Sequence, residues 1–478
     1  MPQHSAIAVP IAVAIASALL FLHAPFTATQ AEPVETSQRS PAGIAAAVDA
    51  LLAPHFKPDG PGIAVIAMKD GKTVFRKAYG AADVEKKQPL AADAVLRLGS
   101  ITKQFTAIGI LMLADEGRLA LTDDITRFLP DYPTHGRRVT VEHLLTHTSG
   151  IVSYTGKPGF RTVMGKDVSV AEGIAYFKDD APEFAPGTRF DYNNSGYFLL
   201  GAIIEKVSGQ PYARFLDERI FRPLGMAHTG YEGTASALRP VTGYSVRDGQ
   251  VRPSEPLSMA WPYAAGALVS NVDDLARWQS ALLEGRLVRP ETLRRAFTAY
   301  TLADGKAAPY GYGWFVGKLH GTLLVYHGGN INGFATDGVW LPEERVYVAI
   351  LGNAEAGGSG VRVENLTRRV AMSIAGKPLP VASNAKLDPA TLDGYAGTYP
   401  IDAKTSLTVR REGGGLTMAR TGRPPWPLLH YGTDGFLLGD TLATVRFQRD
   451  AGGKVTSLTV SGERETRVHE RSPEAALP

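Results

Sequence analysis

The most informative part of the sequence is Leu96-Arg97-Leu98-Gly99-Ser100-Ile101-Thr102-Lys103-Gln104-Phe105. Gly99 ends an extended apolar run, and Ser100 opens a segment in which apolar residues recur at helical spacing, namely Ile101, Phe105, Ile108 and Met112. A serine in the first turn of a helix lies where backbone N–H groups point outwards and where the helix dipole favours negative charge. Lys103 follows on the same helix face, so its amine can reach the Ser100 hydroxyl and accept its proton. The stretch therefore predicts a serine nucleophile paired with a lysine.

Ser-x-x-Lys is a weak pattern on its own, because a chain of this length contains about one copy by chance at average residue usage. A second copy, Ser383-Asn384-Ala385-Lys386, occurs in this sequence. It follows Lys377-Pro378-Leu379-Pro380, in a linker-like stretch without a helical pattern. The assignment of Ser100 therefore depends on what the rest of the chain supplies.

The composition is that of a soluble globular protein, with 44% hydrophobic and 20% charged residues. A chain of 478 residues is too long for one ordinary compact domain, so about two or three domains are expected. The formal charge of +3 is small for this length and does not indicate a nucleic-acid-binding surface. Cysteine is absent, which excludes disulfides, thiolate nucleophiles and cysteine metal sites.

The N-terminal segment has the composition of an export signal. Residues 1–31 contain no Asp, Glu, Lys or Arg, and the segment from Ala6 to Leu22 is almost wholly apolar. A small-residue site, Thr29-Gln30-Ala31, follows. We expect a signal peptide at residues 1–31, cleaved after Ala31, and a periplasmic or secreted protein. An uncleaved membrane anchor is the alternative, although the apolar run is slightly short for a membrane span.

His143 and His147 are four residues apart, a spacing that can bind zinc from one helix face. The order Glu-His-Leu-Leu-Thr-His lacks the second-position glutamate of the metalloprotease pattern, and no third ligand is evident. We therefore expect these histidines to serve local polar packing, and we expect neither a metal nor an organic cofactor.

Segments at both ends of residues 40–376 predict the strands of one sheet. Gly62 to Met68 and Lys72 to Tyr79 flank an Asp-Gly hairpin signal, and further β-rich segments lie far downstream at Thr322–Tyr326, Gly333–Leu341 and Val346–Leu351. Helical patterns occupy the region between them, and a helix from about Val361 to Ile374 closes the domain. The predicted fold class is α+β, with an antiparallel sheet assembled from both ends of the domain, flanking helices and an inserted helical region.

The composition changes from Lys377 onwards. Residues 377–386 read as a Pro-containing linker, and residues 387–478 as short alternating segments separated by Gly and Asp turns. The β-rich segments are Ser406–Arg410, Leu416–Arg420, Gly435–Leu438, Thr444–Phe447 and Val455–Val460. They predict a C-terminal accessory domain that is a small antiparallel β-barrel.

Two further stretches offer polar residues where functional groups are often presented. Phe190-Asp191-Tyr192-Asn193-Asn194-Ser195-Gly196-Tyr197 precedes a helical run, and a loop before a helix commonly carries functional side chains. The structural alternative is that Asn193 or Asn194 is a helix N-cap. His327-Gly328-Gly329-Asn330 directly follows a predicted strand, and its glycines permit close approach of another backbone or a substrate.

Taken together, these stretches resemble the serine β-lactamase and penicillin-binding protein superfamily, and within it the branch of class C β-lactamases, D-aminopeptidases and esterases. That family carries three motifs in order: Ser-x-x-Lys, Tyr-x-Asn, and Lys-Thr-Gly or a variant such as His-x-Gly. Here they read Ser100-Ile101-Thr102-Lys103, Tyr192-Asn193-Asn194 and His327-Gly328-Gly329. The stretch Leu144-Leu145-Thr146-His147-Thr148-Ser149-Gly150 is also typical of this branch. The resemblance covers residues 40 to about 375.

The resemblance implies a role for each matching residue. Ser100 attacks an acyl carbonyl and forms an acyl-enzyme. Lys103 and Tyr192 share the proton transfers, with either as the general base, and a cationic amine favours the phenolate of Tyr192. Asn194 orients Lys103 and a substrate amide. The backbone N–H groups of Ser100 and Asn330 form the oxyanion hole.

The third motif departs from the Lys-Thr-Gly form. By resemblance, His327, Gly328 and Gly329 line the substrate site, and the two glycines keep the edge strand open for the acyl group. A substrate carboxylate is bound by the Lys and Thr of the usual motif, whereas His327 is mostly uncharged above its reference pKa of about 6.5 and Gly328 has no side-chain donor. The departure argues against efficient hydrolysis of β-lactams or of carboxypeptidase substrates.

We therefore expect a serine hydrolase that acts through a covalent acyl-enzyme on ester, amide or (D-)aminoacyl peptide substrates. A β-lactamase or D-Ala-D-Ala carboxypeptidase is the first alternative, and a peptidoglycan or β-lactam sensor that is acylated without turnover is the second. The expected partner is a small-molecule or peptide substrate, with cell-wall fragments among the candidates, and a membrane only if the N-terminal segment stays uncleaved. In some D-aminopeptidase-like relatives, an accessory barrel can shape or cap the substrate entrance.

Overall fold

The computed structural model describes residues 40–234, 238–355, 362–462 and 466–472. The predicted signal peptide, residues 1–31, lies outside the described residues. No helix within these four ranges is long and apolar enough to cross a membrane.

The part of the chain up to residue 374 contains both strands and helices. The strands are β1 Ile63–Lys69, β2 Lys72–Tyr79, β3 Ala81–Asp83, β4 Gln88–Pro89, β5 Leu96–Arg97, β6 Gly230–Tyr231, β7 Tyr244–Arg247, β8 Gln250–Pro253, β9 Leu268–Ser270, β10 Phe315–Leu319, β11 Thr322–Ile331, β12 Phe334–Leu341 and β13 Val346–Gly352. The helices are α1 Pro41–Leu52, α2 Thr102–Asp115, α3 Val141–Leu145, α4 Phe160–Val163, α5 Val170–Ala175, α6 Asn194–Ser208, α7 Tyr212–Leu216, α8 Arg222–Leu224, α9 Tyr263–Gly266, α10 Val272–Leu283, α11 Pro290–Ala296 and α12 Val363–Ile374.

The central antiparallel sheet has six strands in the order β10-β11-β12-β13-β1-β2. Strands β1 and β13 pair from Ile63 opposite Gly352 to Lys69 opposite Val346, so strands from the two ends of the domain lie side by side. The helices between residues 102 and 296 form the inserted region. This arrangement confirms the predicted α+β fold and its sheet built from both ends of the domain.

Strand β1 is a continuous apolar run because both faces of the sheet are covered. Side chains alternate along a strand, so Ile63 and Val65 pack in the core that contains α1 and α12, whereas Ala64 and Ile66 pack in the core that contains α2 and α10. Every residue from Ile63 to Met68 is buried. The face towards α2 is the one on which Ser100 lies.

The C-terminal part folds as a separate antiparallel sheet of eight strands, ordered along the chain. Its elements are α13 Pro389–Tyr395, β14 Gly397–Pro400, β15 Ser406–Glu412, β16 Gly415–Arg420, β17 Trp426–Gly432, β18 Gly435–Leu438, β19 Thr444–Arg449, β20 Val455–Ser461 and β21 Thr466–Glu470. The backbone N–H of Ser472, just after β21, donates to the carbonyl of Thr398 in β14 at 2.9 Å. The sheet is therefore a nearly closed barrel, which confirms the predicted C-terminal β-barrel.

The turn between β18 and β19 attaches the barrel to the first part of the chain. Leu442 is 4% exposed and belongs to the same buried cluster as Leu324 and Leu366. His320 Nε2 lies 3.2 Å from the Leu442 carbonyl oxygen, and the Asn365 side chain donates to the carbonyl of Asp440. The barrel therefore contacts the β10–β11 edge of the sheet and the start of α12.

Candidate active site

Ser100 lies in a 3-10 turn, Gly99–Ile101, that leads directly into α2, rather than in the first turn of α2 itself. Gly99 has a φ of +53°, in the left-handed region that favours glycine. A Cβ built on Gly99 would lie 3.2 Å from the backbone nitrogen of Asn330. The turn therefore holds Ser100 close to strand β11.

Lys103 is fully buried at the start of α2, with three oxygen atoms around its amine. Its Nζ lies 3.0 Å from Ser100 Oγ, 2.8 Å from Asn194 Oδ1 and 2.9 Å from the carbonyl oxygen of Ala265. Burial holds the pKa of Lys103 well below its usual value of 10.5, because a charged amine loses its hydration there. The pair predicted from sequence spacing is thus in contact, and the amine is biased towards its neutral form.

Tyr192 lies beside the same amine. Lys103 Nζ is 4.9 Å from the centre of the Tyr192 ring, and that ring stacks on Phe315 at 6.0 Å. Burial raises the pKa of the Tyr192 phenol, and the Ser100 side chain, which neighbours the phenol oxygen, acts against that rise. Because burial penalises the charged form of both groups, the site favours a neutral amine and a neutral phenol over the expected ammonium and phenolate.

The two asparagines of the second motif have different positions. Asn193 is the N-cap of α6, and its side-chain oxygen accepts from the backbone N–H of Gly196 at 2.8 Å. Asn194, the next residue, presents its Oδ1 to Lys103, and its side-chain nitrogen donates to Thr155 Oγ1 at 3.1 Å. Asn193 therefore has the structural role that was left open, and Asn194 contacts the candidate catalytic lysine.

His147 is buried behind this loop and holds it in place. Its Nδ1 accepts a hydrogen bond from the backbone N–H of Asn193 at 3.0 Å, and its ring lies 4.4 Å from the ring of Tyr192. His143 instead caps α3, where its Nδ1 accepts from the backbone N–H of Thr140 at 3.2 Å. Within the described residues, no group of three or more metal-ligating side chains could hold a metal ion.

The third motif lies within strand β11 rather than after it, and the strand runs past Ser100. A Cβ on Gly329 would be 2.0 Å from the carbonyl oxygen of Leu98, so only glycine permits this approach. A Cβ on Gly328 would instead point to the other face of the sheet, 3.2 Å from Asp337 Oδ1. Gly329 thus allows β11 to pack against the Ser100 turn. Gly328 was expected to line the substrate site, but it faces the other side of the sheet.

A cleft of about 160 Å³ opens at Ser100. Ser100, Asn194 and Asn330 line it, as the motifs predict, and the remaining polar lining consists of Thr155 and Asn332. Much of its wall is apolar, formed by Tyr154, Phe160, Met164, Leu257, Pro262 and Ile331. None of the described lining residues carries a carboxylate, an ammonium or a guanidinium group, and none comes from the C-terminal barrel.

His327 is not among the residues that line the cleft, because its side chain packs among aromatic rings behind Tyr192. Its Nδ1 lies 2.6 Å from the Gly328 carbonyl, which can only accept, so Nδ1 carries the proton. Its Nε2 then accepts from the Tyr310 hydroxyl at 2.8 Å. The pKa of His327 is lowered to about 3, mainly because the imidazole is buried and to a smaller extent because Lys103 is nearby. We expected His327 to contact the substrate. Its neutral imidazole instead lies behind the ring of Tyr192, away from the cleft.

This burial of His327 predicts a pH-dependent stability. Below a pH of about 6.5 the unfolded chain binds a proton at this imidazole that the folded chain does not bind, so the wild type loses stability as the pH falls towards 3. The glutamine of His327→Gln cannot titrate. We expect the loss of unfolding free energy caused by His327→Gln to shrink between pH 7 and pH 4, in urea unfolding followed by circular dichroism. A loss that stays constant over this range would contradict the depressed pKa.

Family profiles match both parts of the chain. The beta-lactamase family profile matches residues 44–372, and a domain of unknown function (DUF3471) matches residues 382–473. Protein flp of Staphylococcus aureus (strain N315) is 27% identical over 321 residues, which are 65% of this chain and 63% of flp. The match thus spans less than two thirds of the length of that curated relative.

Solved structures share the fold. The octameric penicillin-binding protein homologue from Pyrococcus abyssi has a TM-score of 0.62 and 27% identity, and the match covers 90% of this chain and 99% of that one. The D-amino acid amidase from Ochrobactrum anthropi SV3, in complex with L-phenylalanine amide, has a TM-score of 0.61 and 25% identity, covering 70% of this chain and 98% of that one. The match to the Pyrococcus protein extends over both parts of this chain, whereas the match to the Ochrobactrum amidase covers less of it.

Proposed function

Because the chain belongs to the beta-lactamase family, whose members are serine hydrolases, we propose that it hydrolyses an ester or amide through an acyl-enzyme on Ser100. We assign to Lys103 the role of general base and to Tyr192 that of a neutral proton donor. The backbone N–H groups of Ser100 and Asn330 are assigned to the oxyanion hole.

The observation that carries this proposal is the set of oxygen atoms around Lys103 Nζ. A neutral amine has two protons and one lone pair. Asn194 Oδ1 at 2.8 Å and the Ala265 carbonyl at 2.9 Å can only accept, so they take the two protons. The lone pair then faces Ser100 Oγ at 3.0 Å, in position to accept the hydroxyl proton.

Acylation follows from that arrangement. The Ser100 oxygen bonds to the substrate carbonyl carbon while its proton passes to Lys103 Nζ. The carbonyl oxygen becomes an oxyanion, and the bond to the leaving oxygen or nitrogen then breaks. Tyr192 protonates the leaving group and regains a proton from Lys103. In deacylation a water molecule attacks the acyl carbon, gives its proton to the same pair, and the Ser100 oxygen leaves with a proton.

The lining of the cleft favours a neutral, apolar acyl group. The Ochrobactrum neighbour is named as a D-amino acid amidase, and the free ammonium group of such an amide needs a partner when it is desolvated. A penicillin or an acyl-D-Ala-D-Ala substrate brings a carboxylate with the same requirement. The described lining residues provide only neutral polar groups beside an apolar wall, and the neutral His327 lies behind them. We therefore place neutral esters and N-acylated amides first.

A substrate panel tests this proposal. The panel consists of a p-nitrophenyl ester with a neutral acyl chain, the p-nitroanilides of D- and L-phenylalanine, nitrocefin and an acyl-D-Ala-D-Ala peptide. We expect kcat/KM for the ester to exceed the values for the carboxylate and free-amine substrates by about tenfold or more, since an unpaired charge costs at least ~1.4 kcal/mol in such a cleft.

Other outcomes of the panel would support the alternatives. Nitrocefin turnover at the rate of the ester would favour a β-lactamase, with the carboxylate bound by groups other than the described lining residues of the cleft. Preference for the D-phenylalanine anilide would favour a D-aminopeptidase. Stoichiometric labelling of Ser100 by penicillin without turnover of any substrate would favour a sensor.

A further inference from the structure

The C-terminal barrel is filled at one end and hollow at the other. At the end covered by α13, aromatic rings contact one another, namely Tyr395, Tyr399, Phe436 and Phe447. At the other end is a cavity of about 500 Å³ whose apolar walls continue the barrel core and consist of Ile401, Leu407, Met418, Leu438 and Val460. Small-molecule sites commonly measure about 300–1,000 Å³, and eight-stranded barrels are wide enough to hold one small ligand. The hollow end therefore has the dimensions of a ligand site.

The mouth of this cavity is cationic. Arg420, Arg423 and Arg467 line it, all three are exposed, and no carboxylate occurs among the described lining residues. Asp402 lies in the turn next to the lining residue Ile401, and its carboxylate accepts hydrogen bonds from two backbone N–H groups and the Thr405 hydroxyl. These bonds, that of the Thr405 hydroxyl most of all, lower the pKa of the Asp402 carboxyl, and the nearby Arg420 guanidinium adds to this effect. The charged groups among the described lining residues are guanidinium groups, so this part of the lining is cationic.

Trp426 adds a large apolar face at the same mouth. It is 45% exposed, although it lies at the start of strand β17, and its ring covers the backbone of Gly439. An exposed tryptophan beside guanidinium groups suits a ligand that has both an apolar part and a charged part.

We propose that the open end of the C-terminal barrel binds a monomeric amphiphile with one apolar chain and an anionic head such as a carboxylate. The apolar chain enters the cavity between Leu407, Met418 and Val460. The head stays at the mouth, where Arg420 and Arg423 donate charge-assisted hydrogen bonds. The described residues that line the Ser100 cleft lie between positions 99 and 332, so this site is distinct from the cleft and does not depend on the proposed hydrolase function.

Trp426 provides the signal for a direct test with the whole chain. The other tryptophans, Trp261, Trp278, Trp314 and Trp340, are 8% exposed or less, so Trp426 should dominate a ligand-dependent change in fluorescence. Dodecanoate is titrated below its micelle concentration and compared with dodecyl maltoside and dodecyltrimethylammonium, which have the same chain and a neutral or cationic head. We expect saturable binding of dodecanoate, weaker binding of the maltoside, and binding of the cation that is at least about tenfold weaker.

Charge-reversal variants test the cationic mouth. The double variant Arg420→Glu, Arg423→Glu should weaken dodecanoate binding by about tenfold or more. Arg410→Glu is the matched control, because Arg410 is an exposed arginine of the same barrel outside the cavity lining, and it should leave binding unchanged. All three positions are exposed, so the variants should fold.

Several outcomes would overturn the proposal. Failure of dodecanoate to bind would overturn it, as would equal affinity for the three head groups. Binding that persists unchanged in the double variant, or that leaves the Trp426 signal unaltered, would show that the amphiphile occupies another surface. If Arg410→Glu weakened binding as much as the double variant does, the loss of affinity would reflect the overall charge of the barrel and not the cavity mouth.

Discussion

Ser100→Ala is expected to abolish covalent labelling by a fluorophosphonate probe and to reduce ester hydrolysis to background. The reason is that we assign the acyl-enzyme to the Ser100 oxygen, which lies 3.0 Å from the Lys103 amine. Labelling is measured by intact mass and located by peptide mapping.

The second Ser-x-x-Lys copy supplies the matched control for this prediction. Ser383 is exposed, its hydroxyl accepts a hydrogen bond from the backbone N–H of Ala385, and Lys386 is also exposed outside any helix. Ser383→Ala should therefore be labelled like the wild type. Retained labelling in Ser100→Ala together with loss in Ser383→Ala would show that the nucleophile has been assigned to the wrong copy.

Lys103→Met should lower the acylation rate by about 10²- to 10⁴-fold, the range that a positioned proton-transfer group typically contributes. Methionine fills the buried space without an amine, so this variant separates chemistry from folding better than Lys103→Ala does, although we expect a similar loss for both. Burst kinetics with a chromogenic ester measure the acylation step. Tyr192→Phe should cause a loss within the same range.

The pH profile of acylation gives an independent reading of Lys103. Because burial lowers the pKa of this lysine, the wild type should retain activity far below pH 10.5 and lose it on acidification, when the amine becomes protonated. The residual activity of Lys103→Met should lack that acidic limb. A wild-type rate in Lys103→Met, with Lys386→Met as the matched control, would remove the lysine from the proposed proton path.

Five of the six strands of the central sheet could be predicted, because they are either apolar runs or flank a clear hairpin signal, as Lys72–Tyr79 does. The sixth, Phe315–Leu319, was not identified as a strand. Three barrel strands lacked such signals, namely Gly397–Pro400, Trp426–Gly432 and Thr466–Glu470. In Thr466–Glu470 only His469 is buried, and in Trp426–Gly432, which contains Pro427, only Leu428 is buried. Their pairing depends on neighbouring strands that close the barrel, which a local pattern does not contain.

The site could be predicted only as far as its motifs specify residue types. The contact of Ser100 with Lys103 follows from helical spacing, but the carbonyl of Ala265 and the backbone N–H of Asn193 come from distant parts of the chain. The position of His147 behind Tyr192 could not be read from its spacing to His143 for the same reason. The predicted strand ended at Tyr326, before the third motif. A prediction that continued the strand to Ile331 would have placed Gly328 and Gly329 on opposite faces of the sheet, because side chains alternate along a strand.

The sheet that joins both ends of the domain affects the order in which the domain can fold during synthesis. During synthesis Ser100 and Lys103 leave the ribosome early, whereas β11, which carries Asn330, follows only after the whole inserted region. Pairings between such distant segments form slowly, because the intervening chain must first be brought together. A nascent chain that ends before Thr322 contains Ser100 but lacks β11, β12 and β13. We therefore expect any reactivity of Ser100 to arise late, after nearly all of the domain has been made.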